Sequence, residues 1–221
     1  MAVSQKQYDL SVFINCPFDR DYNTLFDAIV FTITECGFRP VCARERMNSA
    51  EIRLDKIVGL IRDSRYSVHD LSRTEVDEKY SLPRFNMPLE LGIALGCAKF
   101  GSPRQRRKTL LILDRRQFRY QKFVSDISGQ DIKEHKNKPS AAIEAVRNFL
   151  RTESGLADIP GWEYIAVRYR KFKRVLPEIA RVGHLNPSKL TYADYCEMIK
   201  RWLDLTFEAE MLAKRRGRRP T

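Results

Sequence analysis

The segment SVFINC, residues Ser11–Cys16, is a short apolar run that ends at Pro17, a pattern typical of a buried β-strand. Helical spacing of apolar residues follows over Tyr22–Cys36, and Gly37 supplies a helix stop. The next apolar segment, Phe38–Ala43, predicts a second strand. The chain therefore begins as strand, helix and strand.

The same alternation continues to residue 115. The pattern predicts a helix over Ala50–Ser64, a strand over Arg65–Leu71, a helix over Met87–Phe100 and a strand over Lys108–Leu113. Strands and helices that alternate in this way form parallel sheets whose right-handed crossovers place helices on both faces. We therefore predict an α/β domain over residues 1–115, built on a parallel sheet flanked by helices.

Residues 116–221 predict a mainly helical extension that packs on the sheet or on a partner. Its first part, Gln117–Lys138, is polar and predicts a long loop. Helical spacing then covers Pro139–Thr152, Trp162–Leu176 and Tyr192–Ala213. We expect the second of these helices to end before Pro177, because proline disrupts helix interiors.

Composition limits the class of protein. A hydrophobic share of 43% excludes a wholly disordered chain, and no apolar run reaches the roughly 18–20 residues of a membrane span. The first residues show no secretion signal, and five cysteines without CxxC spacing indicate free thiols in a reducing cytoplasm. Since only three histidines could assist them, these cysteines argue against a zinc site. We expect a cytoplasmic protein with no metal site and no membrane partner.

The positive charge lies in the second half of the chain. Residues 1–100 carry 13 Lys and Arg against 14 Asp and Glu, whereas residues 101–221 carry 27 against 14. Basic clusters at residues 104–108, 168–174 and 214–219 are either solvated surface or contacts for a phosphate-rich partner. The middle cluster interleaves aromatic residues, which favours single-stranded nucleic acid, and its candidate contacts are Arg168, Arg170, Lys171, Lys173 and Arg174.

Ligands of parallel α/β sheets bind outside the carboxyl ends of the strands. The candidate binding side chains are therefore those that follow each predicted strand. They are Asn15, Pro17 and Phe18 after the first strand, Arg44 and Arg46 after the second, Asp70 after the third and Asp114 after the fourth. Arg44 and Arg46 can meet a substrate phosphate or can simply be surface charge. His69 alternates to the face opposite Asp70 and is expected to be structural.

A single carboxylate stands in an otherwise apolar helix. Glu90 lies in FNMPLELGIALG, residues Phe85–Gly96. Burial there is costly and raises a carboxyl pKa, although a helix N-terminus offsets about 0.3–1 kcal/mol of the cost. Glu90 is therefore either a glutamate that satisfies the helix dipole or a carboxylate placed where a sugar cation forms. Asn86 can cap the helix or bind a hydroxyl, and Gly92 permits close approach of a ligand. Asp70 has a structural alternative as a turn or N-cap residue.

Three motifs together resemble a known family: FINCPFD after the first strand, HDLS after the third, and NMPLELGIALG at the start of a helix. The combination is similar to the nucleoside 2-deoxyribosyltransferase family and to its TIR-like relatives in bacterial antiphage defence, which cleave nucleosides or NAD. The resemblance covers residues 8–115 and implies a flavodoxin-like (TIR-like) sheet. The chain contains no Walker phosphate loop, and no GxGxxG motif follows the first strand.

The resemblance implies roles for individual residues. Pro17 and Phe18 correspond to the loop that borders the nucleobase, and Asp70 to the acidic residue after the third strand. Glu90 and Gly92 correspond to the family's E-x-G, whose glutamate attacks or steadies the anomeric carbon. The implied reaction is scission of the ribosyl C1′–N bond of a nucleotide, a nucleoside or NAD.

The mechanism that we expect places Glu90 beside an oxocarbenium-like state, with Asp70 and Asn86 on the ribose hydroxyls. The transferases carry an aspartate where this chain has Arg84, which favours hydrolysis over base exchange. We expect no cofactor, since NAD enters only as a substrate. The resemblance further implies a toxic effector of antiphage defence that acts as a homo-oligomer or with a defence partner.

An alternative function belongs to a different class. The sheet can be a non-catalytic nucleotide-sensing module, and the basic C-terminal half a nucleic-acid-binding region. The two hypotheses differ in turnover, because only the first releases a free base. The sequence leaves both open.

Overall fold

The computed structural model describes residues 3–74, 76–77 and 82–216 of the chain. The strands are β1 (Ser11–Asn15), β2 (Arg39–Cys42), β3 (Tyr66–Asp70), β4 (Val76–Asp77), β5 (Leu82–Pro83), β6 (Thr109–Asp114) and β7 (Lys133–Glu134). The α-helices are α1 (Gln5–Leu10), α2 (Asn23–Glu35), α3 (Arg53–Arg62), α4 (Asn86–Phe100), α5 (Pro139–Ser154), α6 (Trp162–Val182) and α7 (Tyr192–Arg216).

Five strands form one parallel sheet in the order β2–β1–β3–β6–β7. The short strands β4 and β5 pair with each other in antiparallel orientation. If that pair is set aside, the sheet order reads 2-1-3-4-5, which is the flavodoxin-like order. The predicted α/β class, a flavodoxin-like parallel sheet flanked by helices with a helical C-terminal part, is confirmed.

Both faces of the sheet are covered by apolar side chains. Val12 and Ile14 of β1 pack in one buried cluster with residues of α2 and α5. Phe13, between them, packs in a second cluster with residues of α3 and α4. This two-sided burial explains why the strand is a continuous apolar run. The carboxyl ends of β1, β3 and β6 meet at one edge of the sheet, hereafter the carboxyl edge.

The C-terminal helices share the core of the sheet. Val146 of α5, Phe172 of α6 and Trp202 of α7 belong to the same buried cluster as Val12 of β1. Strand β7 extends the sheet beyond β6, within the segment that was predicted to be a loop. That segment also forms two 3₁₀ turns. Residues on both sides of position 115 therefore build one core.

The prediction that α6 ends before Pro177 is wrong, because the helix continues to Val182. Proline in a helix interior costs about 3 kcal/mol. Leu176 and Ala180 are both buried, so apolar packing continues on both sides of the proline and offsets this cost.

Helix α1 was not predicted and begins after Ser4, which caps it. Within the described ranges, no helix combines the length and the apolar character needed to cross a bilayer.

The shared core yields a stability prediction. Phe172 is fully buried, and its ring lies 5.4 Å from that of Phe31 and 5.7 Å from that of Trp202. Phe172→Ala leaves a cavity, so we expect it to lower the free energy of unfolding by about 3–5 kcal/mol in one cooperative transition. Urea unfolding, followed by circular dichroism and tryptophan fluorescence, measures this change.

The control for this experiment is Phe207→Ala, because that side chain is 64% exposed. We expect it to change the free energy of unfolding by less than about 0.5 kcal/mol. Two separate transitions, of which Phe172→Ala moves only one, would contradict the shared core.

Candidate functional site

Asp70 is fully buried at the end of β3 and is held by three donors from separate parts of the chain. The Tyr22 hydroxyl donates to Oδ2 at 2.6 Å, and the backbone N–H of Ser72 donates to Oδ1 at 2.8 Å. Nε2 of His135 lies 3.0 Å from Oδ2. A buried carboxylate is tolerated only with such partners.

The other ring nitrogen of His135 is also engaged. The backbone N–H of Asn137 donates to Nδ1 at 3.0 Å, which leaves Nε2 to face Asp70. Burial by itself raises the pKa of Asp70, but hydrogen bonds from His135, Ser72 and Tyr22 outweigh it and hold that pKa below its usual range. Asp70 therefore stays ionised at neutral pH.

A second buried carboxylate ends the neighbouring strand. Oδ1 of Asp114 accepts hydrogen bonds from the backbone N–H of Arg115 at 2.6 Å and from Nε of Arg119 at 3.0 Å. Burial raises the pKa of Asp114, Arg119 opposes this rise, and the charge of Asp70 adds to it. Two buried carboxyl groups therefore end neighbouring strands at the carboxyl edge, and the Arg119 guanidinium pairs with the one on Asp114 at 2.9 Å.

Glu90 has a different environment in the second turn of α4. The residue is 8% exposed, and its carboxyl group forms no hydrogen bond to another described residue. Burial raises the pKa of Glu90 to about 7, and Arg53 opposes the rise. Carboxyl groups whose surroundings push their pKa values apart, as Asp70 and Glu90 do here, are typical of acid–base sites.

Cys16 connects the two carboxyl groups electrostatically. Burial raises the pKa of its thiol well above the usual range, and Asp70 and Glu90 both add to the rise. The two carboxylates, on β3 and α4, thus lie within electrostatic reach of the same side chain. The thiol itself is protonated at neutral pH and is a poor nucleophile.

Asn15, predicted to bind substrate, is buried and bonded within the protein. Its Nδ2 donates to the carbonyl of Met87 at 2.9 Å and lies 3.0 Å from Nδ1 of His69. These contacts join β1, β3 and the first turn of α4, three residues before Glu90. Burial lowers the pKa of His69 to about 3, so its ring is neutral, as expected for a structural histidine. The side-chain amide nitrogen of Asn15 is therefore committed to contacts within the protein that hold the start of α4, and with it Glu90, against the sheet.

The loop after β1 meets the segment after β2. Pro17 is buried and Phe18 is half-buried. The Arg44 guanidinium lies 4.5 Å from the centre of the Phe18 ring and donates to the Phe18 carbonyl at 2.9 Å. Arg46 instead pairs with Glu51 at 3.2 Å on the surface. Both predicted phosphate-binding arginines thus have partners within the protein.

The outer side of α4 is open beside Glu90. Asn86 is exposed, and it is the first residue of the helix and not its N-cap, so it does not cap the helix as the sequence had suggested. Gly92 is exposed, and a Cβ atom there would meet nothing within 4 Å. No packing contact within the described chain therefore requires glycine at position 92, which lies two residues after Glu90 and so on a different face of α4.

The basic segment of α6 is divided between the protein interior and the surface. Arg168 is buried, with Nε 2.7 Å from Glu35, and Lys173 pairs with Asp27 at 2.6 Å. Tyr169 and Phe172 belong to the core and are not available to stack on bases. The predicted contacts that remain exposed are Arg170, Lys171 and Arg174. The side chains of the last basic cluster, residues 214–219, lie outside those that the structure describes.

Sequence reasoning missed Tyr22, His135 and Arg119. Tyr22 precedes α2, and the other two lie in the polar segment after β6. Their roles arise from contacts with Asp70 or Asp114 that span five to 65 positions in the chain, and no local pattern marks them. Within the described residues, no group of three or more His, Cys, Asp or Glu side chains is arranged to hold a metal ion.

Comparisons of the chain with protein-family models, with curated proteins and with solved structures found no match. The motif resemblance to the nucleoside 2-deoxyribosyltransferases and their TIR-like relatives therefore stays a prediction.

The raised pKa of Glu90 predicts a stability effect with a defined sign. The unfolded chain loses this proton near 4.5, whereas the folded protein loses it near 7. Ionisation of the buried carboxyl group therefore costs stability as the pH rises from 4.5 to 7, and the full cost applies above 7. We expect Glu90→Gln to raise the free energy of unfolding at pH 8 by roughly 1–2 kcal/mol, after allowance for solvent screening.

Urea unfolding of both proteins at pH 4 and pH 8 measures this difference, which should vanish at pH 4. Glu163→Gln, at an exposed position in the first turn of α6, is the control and should lower the free energy of unfolding at pH 8 by no more than about 1 kcal/mol, because it removes a carboxylate from a helix N-terminus. A destabilised Glu90→Gln protein at pH 8 would show that the carboxylate is structural.

Proposed function

We propose that the protein is an N-glycosidase that cleaves the ribosyl C1′–N bond of a nucleotide, a nucleoside or NAD. The observation that carries this proposal is the division of charge at the carboxyl edge. Asp70 is ionised in the interior, whereas the pKa of Glu90 lies near 7. Both carboxyl groups act on the thiol of Cys16, and a carboxyl group that ionises near neutral pH suits a reaction that develops positive charge on a sugar.

In the proposed reaction, the C1′–N bond breaks and its electron pair leaves with the base. The ionised carboxylate of Glu90 stabilises the oxocarbenium-like carbon or forms a transient ester with it. Water then supplies the oxygen at C1′, and its proton goes to the departed base of a nucleoside or nucleotide, or to solvent when the leaving group is the neutral nicotinamide of NAD. The products are a free base and a ribosyl compound with a hydroxyl group at C1′.

Asp70 and Asn86 have different parts in this proposal. Asp70 is fully buried and both of its oxygens have donors, so it acts as a fixed negative charge and does not bind a ribose hydroxyl. Asn86 lies one helical turn before Glu90 and is exposed, so it stays the candidate for a ribose hydroxyl. Phe18 stays the candidate for the nucleobase, with the Arg44 guanidinium on its ring.

The same proposal includes a role as a toxic effector of antiphage defence, which acts as a homo-oligomer or with a defence partner. This role rests on the motif resemblance.

We also keep one alternative, a nucleotide-sensing module whose C-terminal half binds nucleic acid. The exposed Arg170, Lys171 and Arg174, together with the excess of Lys and Arg after residue 100, favour it. That alternative requires nucleotide binding without turnover.

The purified protein, incubated with nucleosides, nucleotides and NAD, tests the proposal through chromatographic detection of free base. We expect release by the natural chain and a loss of at least about 100-fold in Glu90→Gln. Because the active form of Glu90 is ionised, kcat/KM should rise with pH and level off above about 7.

The control variant is again Glu163→Gln, which should retain full activity. Absence of base release from every substrate, together with salt-sensitive binding of a single-stranded oligonucleotide, would reject the enzyme and support the alternative. Equal rates for the natural chain and Glu90→Gln would remove the proposed role of Glu90.

A further inference from the structure

A polar cavity of about 370 Å³ opens beside the ends of β6 and β7. Its lining residues are Arg115, Arg116, Glu134, Lys136 and Asn137. This volume lies within the range of small-molecule sites in proteins. None of these five residues was assigned a role from the sequence motifs.

The cavity is positively charged. Three of its lining residues are cationic and one is anionic, and the carboxylate of Glu134 lies 3.4 Å from the ammonium of Lys136. Guanidinium groups match the geometry of phosphate oxygens, and a lysine ammonium adds a point charge. A phosphate group is therefore the ligand chemistry that the lining favours.

The cavity adjoins the Asp70 site through one residue. His135, whose Nε2 lies 3.0 Å from Asp70, stands between Glu134 and Lys136. Asp114 pairs in register with Glu134, and the two arginines of the cavity follow Asp114 directly. The acidic end of β3 and β6 and the basic cavity are therefore neighbours at the same edge of the sheet.

The backbone that carries Lys136 is held in an unusual conformation. Lys136 and Asn137 have φ values of 51° and 54°, in the left-handed region that most residues avoid. The Asn137 N–H bond to Nδ1 of His135 and the Lys138 N–H bond to the His135 carbonyl hold this turn. The contact that engages Nδ1 of His135 therefore also fixes the rim of the cavity.

From these observations we propose that the cavity binds the phosphate of a phosphorylated nucleoside, and that it selects nucleotides over nucleosides. The cavity lies at the same edge of the sheet as Asp70, which His135 contacts from the residue between Glu134 and Lys136. A phosphate held there would place the attached nucleoside at the carboxyl edge. The selection of substrate rests on the proposed glycosidase function, whereas phosphate binding itself does not.

Calorimetric titration tests the binding directly. The probes are AMP, CMP, GMP and UMP, the four corresponding nucleosides, and inorganic pyrophosphate. We expect at least one monophosphate to bind at least about 10-fold more tightly than its nucleoside, and we expect pyrophosphate to compete with it. The double variant Arg116→Glu/Lys136→Glu should lose this preference, because it reverses two of the three cationic charges.

A matched control applies the same charge change at the opposite edge of the sheet. Lys6→Glu/Arg106→Glu alters two exposed residues, one in α1 directly before β1 and one directly before β6. This variant should keep the preference for monophosphates. Circular dichroism confirms that both double variants are folded.

The outcomes of the titration decide between a phosphate site in this cavity and its absence. Binding of monophosphates that the cavity variant abolishes and the control retains supports the phosphate site, even if no free base is released and the glycosidase proposal fails. Equal affinities for nucleosides and monophosphates, or a preference that survives in Arg116→Glu/Lys136→Glu, would overturn the phosphate site. If base release occurs, kcat/KM for the preferred monophosphate should fall in the cavity variant to the value for the nucleoside.

Discussion

The buried charge of Asp70 is the constraint on which the rest of the site depends. A lone carboxylate in the interior costs several kcal/mol, and here donors from Tyr22, Ser72 and His135 compensate for that cost. Tyr22 precedes α2, and His135 follows β7. The contacts of Asp70 therefore link the segment before α2 to residues beyond position 115. One of these contacts comes from His135, whose ring also accepts a hydrogen bond from the turn that borders the basic cavity.

Glu90 illustrates the opposite arrangement at the same edge. Its carboxyl group is buried without a comparable set of donors, so its pKa is raised to about 7 and both protonation states are populated at neutral pH. The contact of Asn15 with Met87 and His69 holds the start of α4 against the sheet and so keeps Glu90 in this position. A buried carboxylate kept at some cost in stability is typical of groups retained for chemistry.

The sequence was sufficient for the main strands and most helices, because the apolar period of each segment is unambiguous. It was insufficient where tertiary contacts decide: α6 passes through Pro177 because apolar residues on both sides are buried. In the site, Asp70 and Glu90 could be found from their positions near the carboxyl edge. The donors to Asp70 could not, since His135 is 65 positions away and directly follows a two-residue strand that has no periodic pattern. Asn15 was expected on a substrate, but its amide is used by His69 and Met87.

The most direct test of the account is the titration of individual carboxyl groups by ¹³C NMR, with Glu90→Gln and Asp70→Asn used to assign the two signals. The account predicts a midpoint near pH 7 for Glu90, while Asp70 stays ionised throughout the range above its ordinary pKa. A midpoint for Glu90 near 4.5, or an Asp70 signal that titrates above its ordinary range, would contradict the division of charge at the carboxyl edge.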